Sequence, residues 1–331
     1  MIRHRCVPCS IHVTTRLEEA LKEARYAITQ IRVGQMAARI ADEKLGLKYG
    51  IVGQETTGLG GFACALRTIP RILEIAHLME EVAPDAFLIN FTNPAGINTE
   101  AVIKHSKIRT VGLCNVPIGM IMDASKHLNY DPAGVTMDYV GLNHLSWVRH
   151  FYYKGEDVTD AVLEKFIEHA RLEWEEEDTR NNMIEAIRRL GMFCNYYLQY
   201  YYSTDTALRT IQHKTKTRGE EVLEVENALF AKYQDESLSE KPEELSKRGG
   251  AHYSTAAFHL VEAIENNRQS RQVVCCRNNG AVPTFDDDVA VEVSAIIGKD
   301  GAKAIQQQAP APSIRGLMQL VKAYESLTVE A

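Results

Sequence analysis

Apolar and polar positions along this chain switch repeatedly between a helical and a strand period. Leu17-Glu-Glu-Ala-Leu-Lys-Glu-Ala24 spaces its apolar residues about one turn apart and predicts a short amphipathic helix, with Thr14 or Thr15 as N-cap. Tyr26–Ile31 reads as a strand, and Met36–Leu45 as a helix with Gly46 at a C-cap position. A glycine-rich loop, Gly53-Gln-Glu-Thr-Thr-Gly-Leu-Gly-Gly61, leads into a long helix over about 65–82 that carries Pro70. Asp85–Phe91 is almost uninterruptedly apolar, the pattern of a strand buried on both faces. The exit Thr92-Asn-Pro-Ala95 starts a helix to about His105, followed by strand 110–114, helix 117–128 and strand 135–142. This βα alternation predicts a parallel sheet with helices on both sides and right-handed crossovers.

After residue 146 the texture changes. Ser146–Tyr153 alternates like a strand, and helical patterns then dominate over 157–175, 181–202, 219–233 and 253–266. The tyrosine-rich stretch Asn195-Tyr-Tyr-Leu-Gln-Tyr-Tyr-Tyr202 reads as packing or subunit contact. Two later strands, Gln272–Cys276 and Val289–Ile297, flank an Arg277-Asn-Asn-Gly280 turn, and Gln306–Pro312 reads as a helix-to-linker transition. No internal repeat is present.

Composition narrows the function classes. The chain has 331 residues, 45% hydrophobic and 24% charged, enough to bury a large core in one or two domains. A net charge of -7 without any basic stripe argues against nucleic acid and anionic membrane surfaces as partners. No 18-residue apolar stretch exists, and the first residues lack the apolar core of a signal peptide. Seven cysteines at irregular spacing fit free thiols in a reducing cytoplasm. Cys6-x-x-Cys9 with His4 and His12 has the look of a metal knuckle, but a single pair does not close a tetrahedral site, and an ill-defined amino terminus is the plainer reading.

Two residues carry candidate chemistry. Cys114 closes the run Thr110-Val-Gly-Leu-Cys114, and His144 closes Asp138-Tyr-Val-Gly-Leu-Asn-His144. Both therefore fall at strand ends, where open α/β sheets build their sites. A thiolate and an imidazole suit a divalent transition metal and leave positions open for substrate oxygens. On its own a strand-end cysteine is equally a small buried hydrophobe.

Several segments together resemble glycoside hydrolase family 4, the NAD- and divalent-metal-dependent glycosidases. They are Ile28-Thr-Gln-Ile-Arg-Val-Gly34, Leu47–Gly58, Phe91-Thr-Asn-Pro-Ala-Gly96, Gly112-Leu-Cys-Asn-Val-Pro-Ile-Gly119, Gly141-Leu-Asn-His144, Arg248-Gly-Gly-Ala-His-Tyr-Ser254 and Arg277-Asn-Asn-Gly280. They occur in the family's order from about residue 12 to 297. The Cys-Asn-x-Pro form and the Arg-Gly-Gly segment look most like the 6-phospho-β-glucosidases, since α-specific members carry Asp where Asn115 stands. The resemblance implies an α/β fold: a partial Rossmann-like parallel-sheet domain over 1–145, then a mainly helical α+β substrate-binding and oligomerisation domain over 146–331, shortened at its carboxy end. The family's opening strand and Gly-rich turn, whose amides receive the NAD pyrophosphate, have no counterpart here. The chain resembles a member without its first βαβ unit, from which weak NAD binding is expected.

The family's chemistry departs from the two-carboxylate scheme of most glycosidases. As the resemblance implies, NAD removes hydride from C3 of the sugar, a base takes the C2 proton, the C1 bond breaks by elimination, water adds, and hydride returns. Cys114 and His144 would hold the metal, typically manganese, and Tyr253 matches the C2 base. A phenol of ordinary pKa, about 10, needs a nearby cation for that task. Arg39, Glu55, Asn93 and Asn115 match substrate-binding positions, and Arg277, with Arg271 as a second choice, is the candidate for the 6-phosphate, where a guanidinium fork fits the oxygens. Thr29, Gln30, Arg32 and Thr92 lie at the strand ends that would face NAD. The implied partners are a phosphorylated disaccharide or glucoside and further copies of the chain, as a dimer or tetramer. Two other readings compete: a truncated, catalytically impaired paralogue that binds sugar phosphate or metal, and a lactate/malate-like dehydrogenase. The dehydrogenase is disfavoured because its chemistry uses a His–Asp pair and no metal-binding thiol.

Overall fold

A computed structural model describes residues 9–248 and 252–331. The first half runs through α1 (Leu17–Leu21), β1 (Tyr26–Thr29), α2 (Gln35–Lys48), α3 (Gly58–Val82), β2 (Phe87–Asn90), α4 (Ala95–His105), β3 (Arg109–Gly112) and α5 (Asn115–Leu128). β1, β2 and β3 pair in parallel, with Thr29 opposite Asn90 and Asn90 opposite Gly112, so their C-terminal ends lie side by side. Every residue of β2 is buried, as its unbroken apolar run requires.

Two glycines act differently from the sequence expectation. Gly46 does not cap α2, which continues to Lys48; a Cβ at Gly46 would meet the Val52 carbonyl oxygen at 2.6 Å, so this glycine lets the loop pass close to the helix. The glycine-rich segment 58–61 is not loop but the first turn of α3. At Gly60 a Cβ would lie 2.1 Å from the Gln54 carbonyl oxygen, and the missing side chain lets the 53–57 loop fold back on the helix.

Past α5 the chain forms β4 (Val135–Leu142), β5 (Leu145–Tyr153), β6 (Glu156–Asp157), α6 (Thr159–Glu168), α7 (Glu177–Leu190), β7 (Phe193–Cys194), α8 (Gln199–Tyr202), α9 (Thr204–His213), α10 (Arg218–Tyr233), α11 (Leu245–Arg248) and α12 (Tyr253–Glu265). It ends with β8 (Ser270–Arg277), β9 (Ala290–Gly298), β10 (Gly301–Ala304) and α13 (Pro312–Glu330). β4 does not extend the parallel sheet. The two-residue link Asn143-His144 is too short for a crossover and folds β4 onto β5 as an antiparallel hairpin in a second sheet. The first sheet has the order β1-β2-β3-β8-β9-β10, with β8 antiparallel to β3. A division at 145/146 thus falls at the hairpin, and strands from the second half return to complete the first sheet.

The helix expected over 181–202 is broken. Gly191 ends α7 in the left-handed region at φ +64, β7 follows, and the Asn195 side chain accepts from Tyr197 N at 3.0 Å to start a new turn. The sheets meet where Tyr139 N donates to Ser294 Oγ and that hydroxyl donates to the Met137 carbonyl at 2.6 Å. Trp147, Tyr139, Phe151 and Phe193 belong to the main buried core, where the Phe151 and Phe193 rings pack on Phe166 of α6. α13 docks through a buried ionic cluster in which Lys322 Nζ lies 2.6 Å from carboxylate oxygens of both Glu100 and Glu325.

Candidate active site

Cys114 follows β3 and caps α5, its Sγ accepting from Val116 N at 3.5 Å. His144 stands at the tip of the β4–β5 hairpin in the left-handed region, φ +65. The two side chains, 30 residues apart in sequence, converge: Cys114 Sγ lies 3.6 Å from His144 Nε2. First-shell bonds to a divalent ion of about 2.0–2.3 Å allow both atoms to reach one ion. Among the described residues no group of three or more His, Cys, Asp or Glu side chains could hold a metal, so the pair would leave the remaining positions to other ligands.

Thr56 and Cys114 flank the two ring nitrogens of His144. Gln54 Oε1 accepts from Thr56 N, Thr57 N and the Thr56 and Thr57 hydroxyls, at 2.5, 2.8, 2.9 and 3.1 Å, which identifies it as the oxygen. With the Thr56 hydroxyl proton given to Gln54 Oε1 at 2.9 Å, the threonine oxygen is free to accept from His144 Nδ1, also at 2.9 Å. In that tautomer Nε2 keeps its lone pair and faces Cys114. Burial holds His144, 3% exposed, neutral by lowering its pKa to about 3, and pushes the Cys114 thiol up to about 12 with a further contribution from Glu292. A neutral imidazole is ready to ligate; the thiol needs a cation to ionise. The Tyr197 ring stacks on His144 at 3.8 Å and 3°.

A cleft of ≈ 480 Å³ adjoins the pair, lined by Tyr197, by Asn115 and Val116 next to Cys114, and by Asn93 and Tyr253. Tyr253 opens α12 and packs its ring on Phe91 at 4.9 Å. Burial, then the charges of Cys114 and Glu55, push its phenol up to about 12, while Arg248 and Arg32 pull it down. Arg32 and Arg39 line the same cleft and share Glu55 at 2.5 and 3.2 Å. Arg39 also holds Glu43 at 2.9 Å, and Glu43 accepts from Gly219 N at 2.7 Å, tying α2 to α10.

Arg277 does not join this site. Because β8 runs antiparallel to β3 with Cys275 opposite Gly112, Arg277 is carried back toward the start of β3, where its guanidinium donates to the Ile103 carbonyl at 2.7 Å. Arg271 instead donates to the Met137 carbonyl. The cations that do line the cleft are Lys214, Lys216, Arg218 and Arg248, beside Arg32 and Arg39. Thr29 and Thr92 lie at strand ends as expected, but both are buried: the Thr29 hydroxyl donates to Asn90 Oδ1, and Thr92 Oγ1 accepts from Ile31 N. Asn90 is the hub of these strand ends, its amide also donating to Thr99 Oγ1 at 3.1 Å. Gln30 is exposed, whereas Arg32 is half-buried against Glu55.

Comparison with known proteins decides the family. Residues 1–130 match the model of the family 4 glycosyl hydrolases, and residues 139–331 match that of the family 4 glycosyl hydrolase C-terminal domain. The chain belongs to glycosyl hydrolase family 4. This family 4 hydrolase is 41% identical to the probable 6-phospho-beta-glucosidase of Bacillus subtilis over all of its own length and 76% of the relative. It superposes with a TM-score of 0.87 on the 6-phospho-beta-glucosidase of Thermotoga maritima solved with manganese, NAD+ and glucose-6-phosphate, at 35% identity over 96% of this chain and 75% of that one. It is 31% identical to the 6-phospho-alpha-glucosidase of Leptotrichia buccalis over 100% of its own length and 78% of the relative.

The site of this family 4 hydrolase also contains residues that sequence reasoning passed over. Gln54 and Thr56 lie inside the quoted Leu47–Gly58 segment, but nothing local shows that Thr56 meets a residue 88 positions away. Tyr196, Tyr197 and Tyr200, in the stretch that reads as packing or subunit contact, line the cleft. Cys9 is an exposed free thiol, while His4 and Cys6 of the disfavoured knuckle reading, and Gly249–Ala251 of the Arg-Gly-Gly segment, lie outside the described residues. No helix among the described residues is long and apolar enough to cross a membrane.

Proposed function

We propose that this chain hydrolyses 6-phospho-β-glucosides with NAD and a divalent metal held by Cys114 and His144. The observation that carries the reading is the convergence of a thiol and a neutral imidazole, 3.6 Å apart, beside a cleft lined by several lysine and arginine side chains. When bound, NAD would take and return hydride at C3, and the divalent cation would stabilise negative charge on the neighbouring sugar oxygens and draw down the pKa of a nearby phenol. Tyr253 takes the C2 proton; its position at the start of α12 fixes the phenol against Phe91 inside the cleft. Asn93 and Asn115 orient the sugar hydroxyls from the exits of β2 and β3. Arg39 and Glu55 act as one unit, each locking the other's geometry at the cleft wall.

The 6-phosphate is assigned to the cationic side of the cleft, with Arg248 and Lys214 in the place expected of Arg277. Among the described residues no carboxylate pairs with Lys214, whereas Arg248 lies 3.6 Å from Glu226. The preference for the β-anomer is supported by Asn115 and by the 41% identical relative. The enzyme would work in the cytoplasm, where its free thiols stay reduced, as a homo-oligomer.

The experiment follows release of p-nitrophenol from 6-phospho-β- and 6-phospho-α-glucosides with NAD and Mn2+, together with deuterium entry at C2. Turnover of the β-substrate with C2 exchange is expected, and Tyr253→Phe should reduce both by about 10²–10⁴ while Mn2+ still binds. Undiminished C2 exchange in that variant removes Tyr253 from the reaction. Mn2+ and sugar-phosphate binding without any turnover would favour the impaired paralogue.

A further inference from the structure

Behind the Cys114–His144 pair lies a buried polar network that none of the steps above uses. Its hub is Glu292 on β9, 1% exposed. One carboxyl oxygen accepts from Asn143 Nδ2 at 2.9 Å, the other from the Tyr139 hydroxyl at 2.8 Å, and Cys275 Sγ lies 3.6 Å from the first. A carboxyl this deep persists only when its oxygens are satisfied, and here they are satisfied by groups from separate strands.

Two arms run from this hub to His144. The short arm is Asn143, which immediately precedes His144 in the hairpin turn and donates its side-chain amide to Glu292. A non-glycine residue at φ +65 persists only where its surroundings determine the backbone, and the Asn143 bond supplies such a constraint. The long arm passes from the Tyr139 hydroxyl to Ser146 Oγ at 2.6 Å, and from there to Asn195 Nδ2 at 2.9 Å. Asn195 Oδ1 accepts from Tyr197 N at 3.0 Å, which places the Tyr197 ring flat against His144. The backbone of His144 and the ring that covers it thus depend on one carboxyl.

We propose that Glu292 is a positioning residue for the Cys114–His144 pair, holding the His144 turn through Asn143 and the flanking Tyr197 ring through Tyr139, Ser146 and Asn195. The inference rests on the reading of that pair as the metal donors. Outer-shell partners of metal ligands typically change affinity 10–100-fold when removed. Glutamine at this position keeps an oxygen for Asn143, and its amide can donate to Tyr139 while that hydroxyl donates to Ser146. Alanine severs both arms.

The test titrates Mn2+ into the purified full chain, reading free ion by electron paramagnetic resonance, and reads the His144 tautomer from ring ¹⁵N shifts of the metal-free protein. Glu292→Gln should stay within about threefold of wild type, while Glu292→Ala should weaken Mn2+ binding by about 10–100-fold and lose the single tautomer. Where near-ultraviolet circular dichroism shows that Glu292→Ala does not fold, Asn143→Ala severs the short arm at a half-buried position and should weaken binding by about tenfold. A folded variant of either kind with wild-type affinity and an unchanged tautomer overturns the inference. A wild type that binds no Mn2+ overturns the metal reading instead; the tautomer then decides the positioning link, supporting it if the variants lose it and overturning it if they keep it.

Discussion

Thr56→Val isolates the bond that selects the histidine tautomer. Thr56 is 6% exposed, and its hydroxyl oxygen lies 2.9 Å from His144 Nδ1, from which it accepts when Nδ1 carries the ring proton. In the valine variant Gln54 Oε1 keeps Thr56 N, Thr57 N and the Thr57 hydroxyl as donors, so the loss falls on His144 alone. The imidazole then has two choices. It can leave a buried Nδ1–H unpaired, which costs about 1–3 kcal/mol, or move the proton to Nε2, which blocks the lone pair that faces Cys114. At 1.4 kcal/mol per tenfold, that penalty corresponds to a rise of roughly 5- to 150-fold in the Mn2+ dissociation constant. Calorimetric titration of Mn2+ measures it, with thermal melting as the control for folding. Thr56→Ser, which keeps the hydroxyl, should bind like wild type. A folded Thr56→Val protein within twofold of wild type would show that the threonine does not select the tautomer.

Other expectations address packing and pH. Lys322→Met leaves the Glu100 and Glu325 carboxylates buried without their shared cation and should cost about 3–5 kcal/mol in urea unfolding; Ser326 and Lys104 still serve Glu100, and a loss below about 1 kcal/mol would mean that they suffice. Burial raises Glu292 to about 7, against about 4.3 in an unfolded chain, so between those values the folded state holds a proton the unfolded state has released. Stability is therefore lost as pH rises through that window. Glu292→Gln should flatten that part of the profile, and equal slopes in the two proteins would contradict the raised value. Gly60→Ala would place a Cβ 2.1 Å from the Gln54 carbonyl oxygen, displace the Gln54–Thr56 loop and cost about 1–3 kcal/mol by denaturant titration; an unchanged midpoint would show that the loop yields freely.

The sequence by itself determined most of the local structure and the candidate pair. Periodicity located β2, α5 and the β4 and β5 runs, because burial on one face or two imposes a period that a short window reveals. The runs ending in Cys114 and His144 placed both at strand termini, and the ordered motifs carried the family. Only tertiary structure decided partners and directions. The antiparallel course of β8 took Arg277 away from the cleft, and the Asn143-His144 link moved β4 into a second sheet. Gly46 and Gly60 serve contacts with other segments, so their local signals misread as a cap and a loop. Thr56, Tyr197 and Glu292 lie 88, 53 and 148 residues from His144 in sequence, and only the fold brings them round it. Periodicity reports which face of an element is buried; it carries no information about which distant residue lies against that face, since that follows from strand pairing and packing of the whole chain.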